Sequence, residues 1–295
     1  MTTPKSFLFV PGDSERKMAK AAGSGAHALV LDLEDSVAAS EIDAARKTVR
    51  KFLEEHRDRS QQRIWVRINS IDSDLCLSDL AAVVGGAPDG IMLPKCEGGK
   101  DVEELDHYLT ALEIRDGLAR GSIQVLPVVT ETPSAMFELG SYRAASTRLF
   151  GLTWGAEDLS SAVGASASRT DDGEYTPPYQ NARSWCLFAA KAAGVEAIDT
   201  VRPNFRDSVG LADEVRRARR DGFGGKIAIH PDQVAGINDG FRPDEREIAH
   251  ARAVVDAMRA SGATGTAQVN GQMVDKPHLT QALRVLAAAG IAYAP

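Results

Sequence analysis

Eight short apolar runs recur along the chain, each followed by a segment of helical periodicity. This repeat limits the folds open to the chain more than any other feature. The runs are Ser6–Val10, Ala28–Leu33, Ile64–Ile68, Gly90–Pro94, Ile123–Val129, Leu149–Thr153, Ala197–Val201 and Lys226–Ile229. Strands that are apolar along nearly their whole length need cover on both faces, the condition of a parallel sheet wrapped by helices. Between them, Ile42, Ala45, Val49 and Leu53 fall on one helical face. Val102–Leu118, Asn181–Ala193, Ser208–Arg220 and Asp244–Ala260 carry the same period. Asp13 or Ser14 caps a first helix that runs to Ala22. Eight such units predict a (β/α)8 TIM barrel of the α/β class. A doubly wound open sheet is the alternative. No Gly-x-Gly-x-x-Gly follows the first run, which counts against the dinucleotide-binding form of that alternative.

Two stretches exceed a plain barrel. Ser160–Tyr179 is a long connection rich in Ser, Asp, Gly and Pro, of the kind that forms a lid or binding loop or a mobile surface loop. Past the eighth helix, Asn270-Gly271 between alternating residues signals a hairpin ahead of a last helix. The expected division is a barrel over residues 1–262 and a C-terminal extension over residues 263–295, which a complete barrel does not need.

The formal net charge of -7 disfavours a nucleic-acid partner. Cys76, Cys96 and Cys186 are scattered and odd in number, which predicts a reduced, cytoplasmic protein with neither a disulfide framework nor a zinc site. The N-terminus lacks the apolar core of a signal peptide, and no apolar run is long enough to cross a bilayer.

In a barrel of this kind the strand C-termini share one face, where chemistry is done. Glu34, Asp35, Arg67, Lys95, Glu131, Asp158 and His230 all stand at such ends. Glu131 and Asp158 close successive runs. Two desolvated carboxylates facing one way repel each other, and a hard divalent cation relieves both. Mg²⁺ takes oxygen ligands, keeps waters and asks for only one or two protein carboxylates. Each of the two also precedes a helix-like segment and alone reads equally well as an N-cap; the pair favours the metal. Arg67 can grip a carboxylate or a developing oxyanion, or pair structurally with Glu34 or Asp35. Glu34 and Asp35 can hold metal-bound waters or cap a helix. Lys95 can orient a carboxylate or neutralise the cluster. His230, ahead of Pro231, reads more as a structural histidine than as a base. Arg16, Lys17 and Lys20 can meet phosphates or form a solvated basic face. No Gly-x-Ser-x-Gly elbow supports serine-hydrolase chemistry.

Taken together, these motifs resemble the citrate lyase β-subunit-like, or acyl-CoA lyase, branch of the HpcH/HpaI aldolase/citrate lyase superfamily. The resemblance rests on Phe7-Leu8-Phe9-Val10-Pro11-Gly12, Leu31-Asp32-Leu33-Glu34-Asp35-Ser36-Val37 and Val66-Arg67-Ile68-Asn69. It continues through Ile91-Met92-Leu93-Pro94-Lys95, Glu131-Thr132-Pro133, Gly155-Ala156-Glu157-Asp158-Leu159 and Ile229-His230-Pro231. Gly271-Gln272-Met273-Val274-Asp275-Lys276-Pro277 carries it into the C-terminal extension. Each motif is weak alone; their order and spacing make the set specific over almost the whole chain.

The resemblance implies Mg²⁺ (or Mn²⁺) on Glu131 and Asp158 and an acyl-contacting role for Arg67. It implies substrate contacts at Phe9, Lys20, Glu157, Ile229 and His230, with Glu131 among them. It further implies that Asp275 is a catalytic carboxylate supplied to a neighbouring subunit within a homotrimer or hexamer. Ser14 stands where the family has an arginine. The implied activity is cleavage or formation of a 3-hydroxyacyl-CoA such as malyl-, citramalyl- or citryl-CoA, giving acetyl-CoA and a 2-oxo acid. Alternatives are a CoA-independent 2-oxo acid aldolase, a subunit of a larger citrate lyase-type complex, and a malate synthase or thioesterase outcome at the same site.

Overall fold

A computed structural model describes residues 3–262 and 265–292, which divide into two compact units, Thr3–Asn238 and the residues from Asp239 on. The first unit is the barrel. Its strands are β1 (Ser6–Pro11), β2 (Ala28–Asp32), β3 (Arg63–Arg67), β4 (Gly90–Leu93), β5 (Gln124–Pro127), β6 (Gly151–Thr153), β7 (Glu196–Asp199) and β8 (Gly225–Ala228). All pair in parallel, in the order β5-β4-β3-β2-β1-β8-β7-β6. Two parallel bridges, Val125 to Leu149 and Val128 to Thr153, bring the ends of that row together. All eight expected runs are strands, and the TIM barrel holds.

The helices are α1 (Glu15–Ala22), α2 (Ile42–Glu55), α3 (Cys76–Val83), α4 (Gly99–Arg115), α5 (Glu157–Ala162), α6 (Pro177–Ala193), α7 (Ser208–Asp221) and α8 (Val234–Gly240). Ser14 caps α1 by accepting from the Lys17 amide, which settles the choice between it and Asp13. Inside the barrel Phe7, Val30, Trp65, Met92, Leu126, Ile198 and Ile227 fill the space between the strands. Trp65 meets Phe7 edge-on at 5.9 Å and Phe150 at 5.3 Å. Gly90 makes room for it: a Cβ there would sit 2.2 Å from the indole ring.

Isolated bridges, not a continuous ladder, join the β5–β6 seam, and an ionic staple crosses beside it. Arg148 and Glu113 are almost wholly buried and pair at 2.7 Å through both guanidinium nitrogens. Arg148 also reaches Asp106 at 2.6 Å and the Ile123 carbonyl at 3.1 Å. Removing one partner of a buried pair strands the other charge. Arg148→Met is therefore expected to lower unfolding stability by about 3–5 kcal/mol in urea titrations, with most of the loss recovered in Arg148→Met/Glu113→Leu. A single-variant loss below about 1 kcal/mol, the level of an exposed pair, would sink this account.

The long connection is shorter than the sequence suggests and is tied down. It spans residues 163–176, with a bridge from Arg169 to Tyr175. Arg169 binds Glu214 of α7 at 2.8 Å and stacks 3.7 Å from the centre of the Tyr175 ring, and Arg217 pairs with Glu174.

The second unit holds α9 (Glu245–Ala260), a hairpin of β9 (Thr266–Val269) and β10 (Gln272–Asp275), and α10 (Lys276–Ala288). Asn270 and Gly271 both take positive φ, 49° and 81°, as a tight hairpin turn requires. Val254, Val255, Val269, Val274, Ala282 and Leu286 form this unit's own core. The expected boundary near 263 thus differs from the observed one at Asp239. The helix over 245–260 buries its apolar face against the hairpin and α10, and the helix that follows β8 is the short, glycine-containing α8. Among the described residues no helix is long and apolar enough to cross a membrane.

Candidate active site

Sheet register builds the first half of the site. Asp32 ends β2, Arg67 ends β3, and the two are direct register partners. Arg67 donates Nε to Asp32 Oδ1 and Nη2 to Oδ2, both at 2.7 Å. Asp32 also accepts the amides of Glu34 and Ser36. Burial raises the Asp32 carboxyl, but the Arg67 bonds and charge more than reverse this and hold it below its ordinary value. The guanidinium is held charged by the same contacts. Its Nη1 lies 2.8 Å from Glu34 Oε2 and 3.3 Å from the more exposed Asp35. Phe9 lies beneath it, ring centre 4.6 Å from Cζ. The expectation that Arg67 pairs with Glu34 or Asp35 is met, but Asp32 is its main partner.

Strands β4 to β6 supply the second half. Glu131 is 5% exposed, and its Oε2 accepts the Lys95 amide at 2.5 Å. It caps no helix. Burial drives its carboxyl up, the Lys95 amide only partly offsets this, and the charges of Asp158 and Glu34 add to it; the result is about 8. Asp158, in the first turn of α5, lies 3.7 Å from the Lys95 ammonium. That ammonium also contacts Glu34 and lies 3.6 Å from Asp35. Burial raises Glu34 above its ordinary value despite Arg67 and Lys95, and its buried Oε2 makes no hydrogen bond of good geometry.

Two residues that the sequence left without a role shape this half. The Thr130 hydroxyl accepts the Gly155 amide at 3.2 Å and donates to the Gly155 carbonyl at 3.4 Å, tying the ends of β5 and β6 together. Gly155 in turn clears space for Glu131, since a Cβ there would come within 2.7 Å of its Cγ.

The structure thus brings Asp32, Glu34, Asp35, Arg67, Lys95, Glu131 and Asp158 into one ionic cluster at the strand C-termini. Other expected residues sit differently. His230 caps the turn after β8 by accepting the Asp232 amide and stacks on Phe205. The Ile229 amide donates to Gln233. Lys20 lies exposed in the last turn of α1, where a cation also suits the helix end. Glu157 is exposed beside Asp158. Asp275 belongs to the second unit, where it caps α10 and meets His278 Nδ1 at 2.5 Å. That hydrogen bond holds its carboxyl below the ordinary value.

Among the described residues no group of three or more His, Cys, Asp or Glu forms a closed metal cage. Two carboxylates, one of them buried with its carboxyl pushed up by burial and by the charges of Asp158 and Glu34, fit a hard cation that keeps its own waters. The three cysteines are buried and free.

A TIM barrel with acids and bases gathered at its strand C-termini is the design of a barrel enzyme. Comparison with known proteins gives the family. The profile of the HpcH/HpaI aldolase/citrate lyase family matches residues 5–231, and that of C–C bond lyases of the TIM-barrel fold matches residues 180–293. The citrate lyase subunit beta of Escherichia coli K12 is 35% identical over 97% of this chain and 93% of that one. A (3S)-malyl-CoA thioesterase of Cereibacter sphaeroides is 33% identical over 97% and 94%. The structure of CitE from Mycobacterium tuberculosis in complex with magnesium, acetoacetate and coenzyme A aligns with a TM-score of 0.80 at 35% identity, covering 97% of this chain and 98% of that one. The chain belongs to the HpcH/HpaI aldolase/citrate lyase family, a family of carbon–carbon lyases and aldolases.

Proposed function

We propose that this protein is a Mg²⁺-dependent acyl-CoA lyase that cleaves or forms a 3-hydroxyacyl-CoA of the malyl, citramalyl or citryl type, with acetyl-CoA and a 2-oxo acid on the other side of the reaction. The observation that carries the reading is the pairing of a buried, under-neutralised Glu131 with Asp158 beside the clasped Arg67, at adjacent strand ends. Glu131 and Asp158 would hold the ion. The chemistry it would supply when bound is positive charge against the 3-hydroxyl oxygen, which is anionic once it has lost its proton and becomes the 2-oxo carbonyl as the carbon–carbon bond breaks. Arg67 keeps its Nε and Nη2 edge on Asp32 and offers Nη1 to the thioester oxygen, where enolate charge develops. Asp35, 55% exposed, is the partner that yields at Nη1. Asp275, its carboxylate kept ionised by His278, removes the methyl proton of acetyl-CoA in condensation and returns it in cleavage. It does so in a neighbouring subunit of a trimer or a dimer of trimers. Phe9, Lys20, Glu157, Ile229 and His230 line the path of the thioester. Buried free cysteines suit a reducing cytoplasm.

The thioesterase relative favours a second outcome, hydrolysis of the thioester at the same site. One assay separates the readings. Purified protein with Mg²⁺ is given malyl-, citramalyl- and citryl-CoA, and acetyl-CoA and free thiol are followed separately. Acetyl-CoA formed with an equal amount of 2-oxo acid is the expected result. Free thiol without acetyl-CoA would replace the lyase with a thioesterase, and turnover of free oxo acids alone would overturn the CoA assignment.

A further inference from the structure

Lys95 reaches both halves of the cluster. It follows β4 with φ of 51°, a left-handed conformation uncommon for a residue with a side chain. That backbone turn aims its amide at Glu131, 2.5 Å away. Its ammonium meanwhile contacts Glu34 and lies 3.6 Å from Asp35 and 3.7 Å from Asp158. Glycine would take this backbone state without steric cost and keep the same amide. The turn alone does not call for a lysine; the charge does.

Building on the lyase reading, we propose that the Lys95 ammonium sets ligand preference at this site, weakening the hold on magnesium and strengthening the hold on the anionic 2-oxo acid. The cluster holds five carboxylates, Asp32, Glu34, Asp35, Glu131 and Asp158, against the two cations Arg67 and Lys95. With all ionised, a divalent ion leaves one negative charge in excess, and without the lysine it leaves two. An oxo acid brings its own carboxylate, so each uncompensated negative charge opposes it while drawing the metal in. One side-chain charge thus acts with opposite sign on the two ligands. Arg67 is not free to do this, because Asp32 holds two of its nitrogens. Lys95 is a compact charge on a flexible stem, 35% exposed, and can follow a ligand as it enters.

The test is calorimetric titration of the full chain, first with Mg²⁺ alone, then with pyruvate at saturating Mg²⁺. Lys95→Met is expected to tighten Mg²⁺ and weaken pyruvate, each by about tenfold once solvent screening is allowed for. Lys95→Arg should restore both affinities. Lys95→Gly should behave like Lys95→Met although it relieves the backbone. Asp35→Asn, made at an exposed side chain and leaving the Lys95 charge in place, should shift both affinities in the reverse directions. A merely structural lysine would weaken both ligands together, and that result, or unchanged affinities, overturns the proposal. Wild-type protein that binds no Mg²⁺ would overturn the lyase reading and this proposal with it. Wild-type binding with unshifted variants overturns this proposal alone.

Discussion

Glu131→Gln is expected to lower Mg²⁺-dependent turnover by about 10²–10³-fold or more, because the charge that neutralises the ion is lost while the side chain keeps its shape. The glutamine oxygen still accepts the Lys95 amide, so the fold should survive. A pH signature goes with it. The Glu131 carboxyl stands at about 8 against an ordinary 4.5, so below pH 8 a cation must displace a proton. Apparent Mg²⁺ affinity should fall about tenfold for each pH unit from 8 towards 6. Stability of the metal-free protein runs the other way. The folded state binds this proton more tightly than the unfolded chain, so the contribution is full below about 4.5 and is lost as pH rises through 8. Both pH dependences should flatten in Glu131→Gln. Turnover within threefold of wild type after chelation and Mg²⁺ repletion, or Mg²⁺ affinity that is the same at pH 6 and 8, would remove Glu131 from the metal.

Asp275→Asn is expected to lower turnover by about 10²–10⁴-fold, the usual range for loss of a general acid–base group. Asparagine caps helices as well as aspartate does, so α10 should keep its N-terminus and the second unit its core. A drop in activity without a drop in melting temperature therefore reports chemistry. Mixing inactive Asp275→Asn subunits with inactive Arg67→Ala subunits tests whether the carboxylate crosses to a neighbour. Shared sites predict recovery at roughly a quarter of the sites after random exchange. No recovery despite proven subunit exchange would mean that Asp275 acts in its own chain or not at all.

Several parts of the protein were readable from the sequence because their causes are local. The eight strands follow from short apolar runs, and the α2 face follows from Ile42, Ala45, Val49 and Leu53 at helical spacing. A cap for α1 at Asp13 or Ser14 and the Asn270-Gly271 turn follow from side-chain and backbone preferences of one or two residues, although only the structure chose Ser14. The family was readable too, since its motifs lie at strand ends in a preserved order. Less was readable where composition misleads. The segment Cys76–Val83 is a helix that no strong periodicity announced. The long Ser- and Gly-rich connection looked loose, but the Arg169–Glu214 and Glu174–Arg217 pairs fasten it to α7.

The sequence by itself determined which residue types stand at the ends of the strands, and so the chemistry available to the barrel mouth. Only the tertiary structure decided how those residues are shared out. Asp32 clasps Arg67 because parallel register sets β2 and β3 residue against residue, across 35 positions of chain. Lys95 lies between Glu131 and Asp158 because a left-handed turn after β4 sends its amide one way and its ammonium another. Gly155 matters through the Glu131 side chain it leaves room for, 24 residues earlier in the chain. Helix α9 joined the second unit, from Asp239 on, because its apolar face had the hairpin and α10 to cover it. Charge pairing and close packing depend on distances between chain-distant atoms. Periodicity and local propensity carry no record of those distances until the barrel closes.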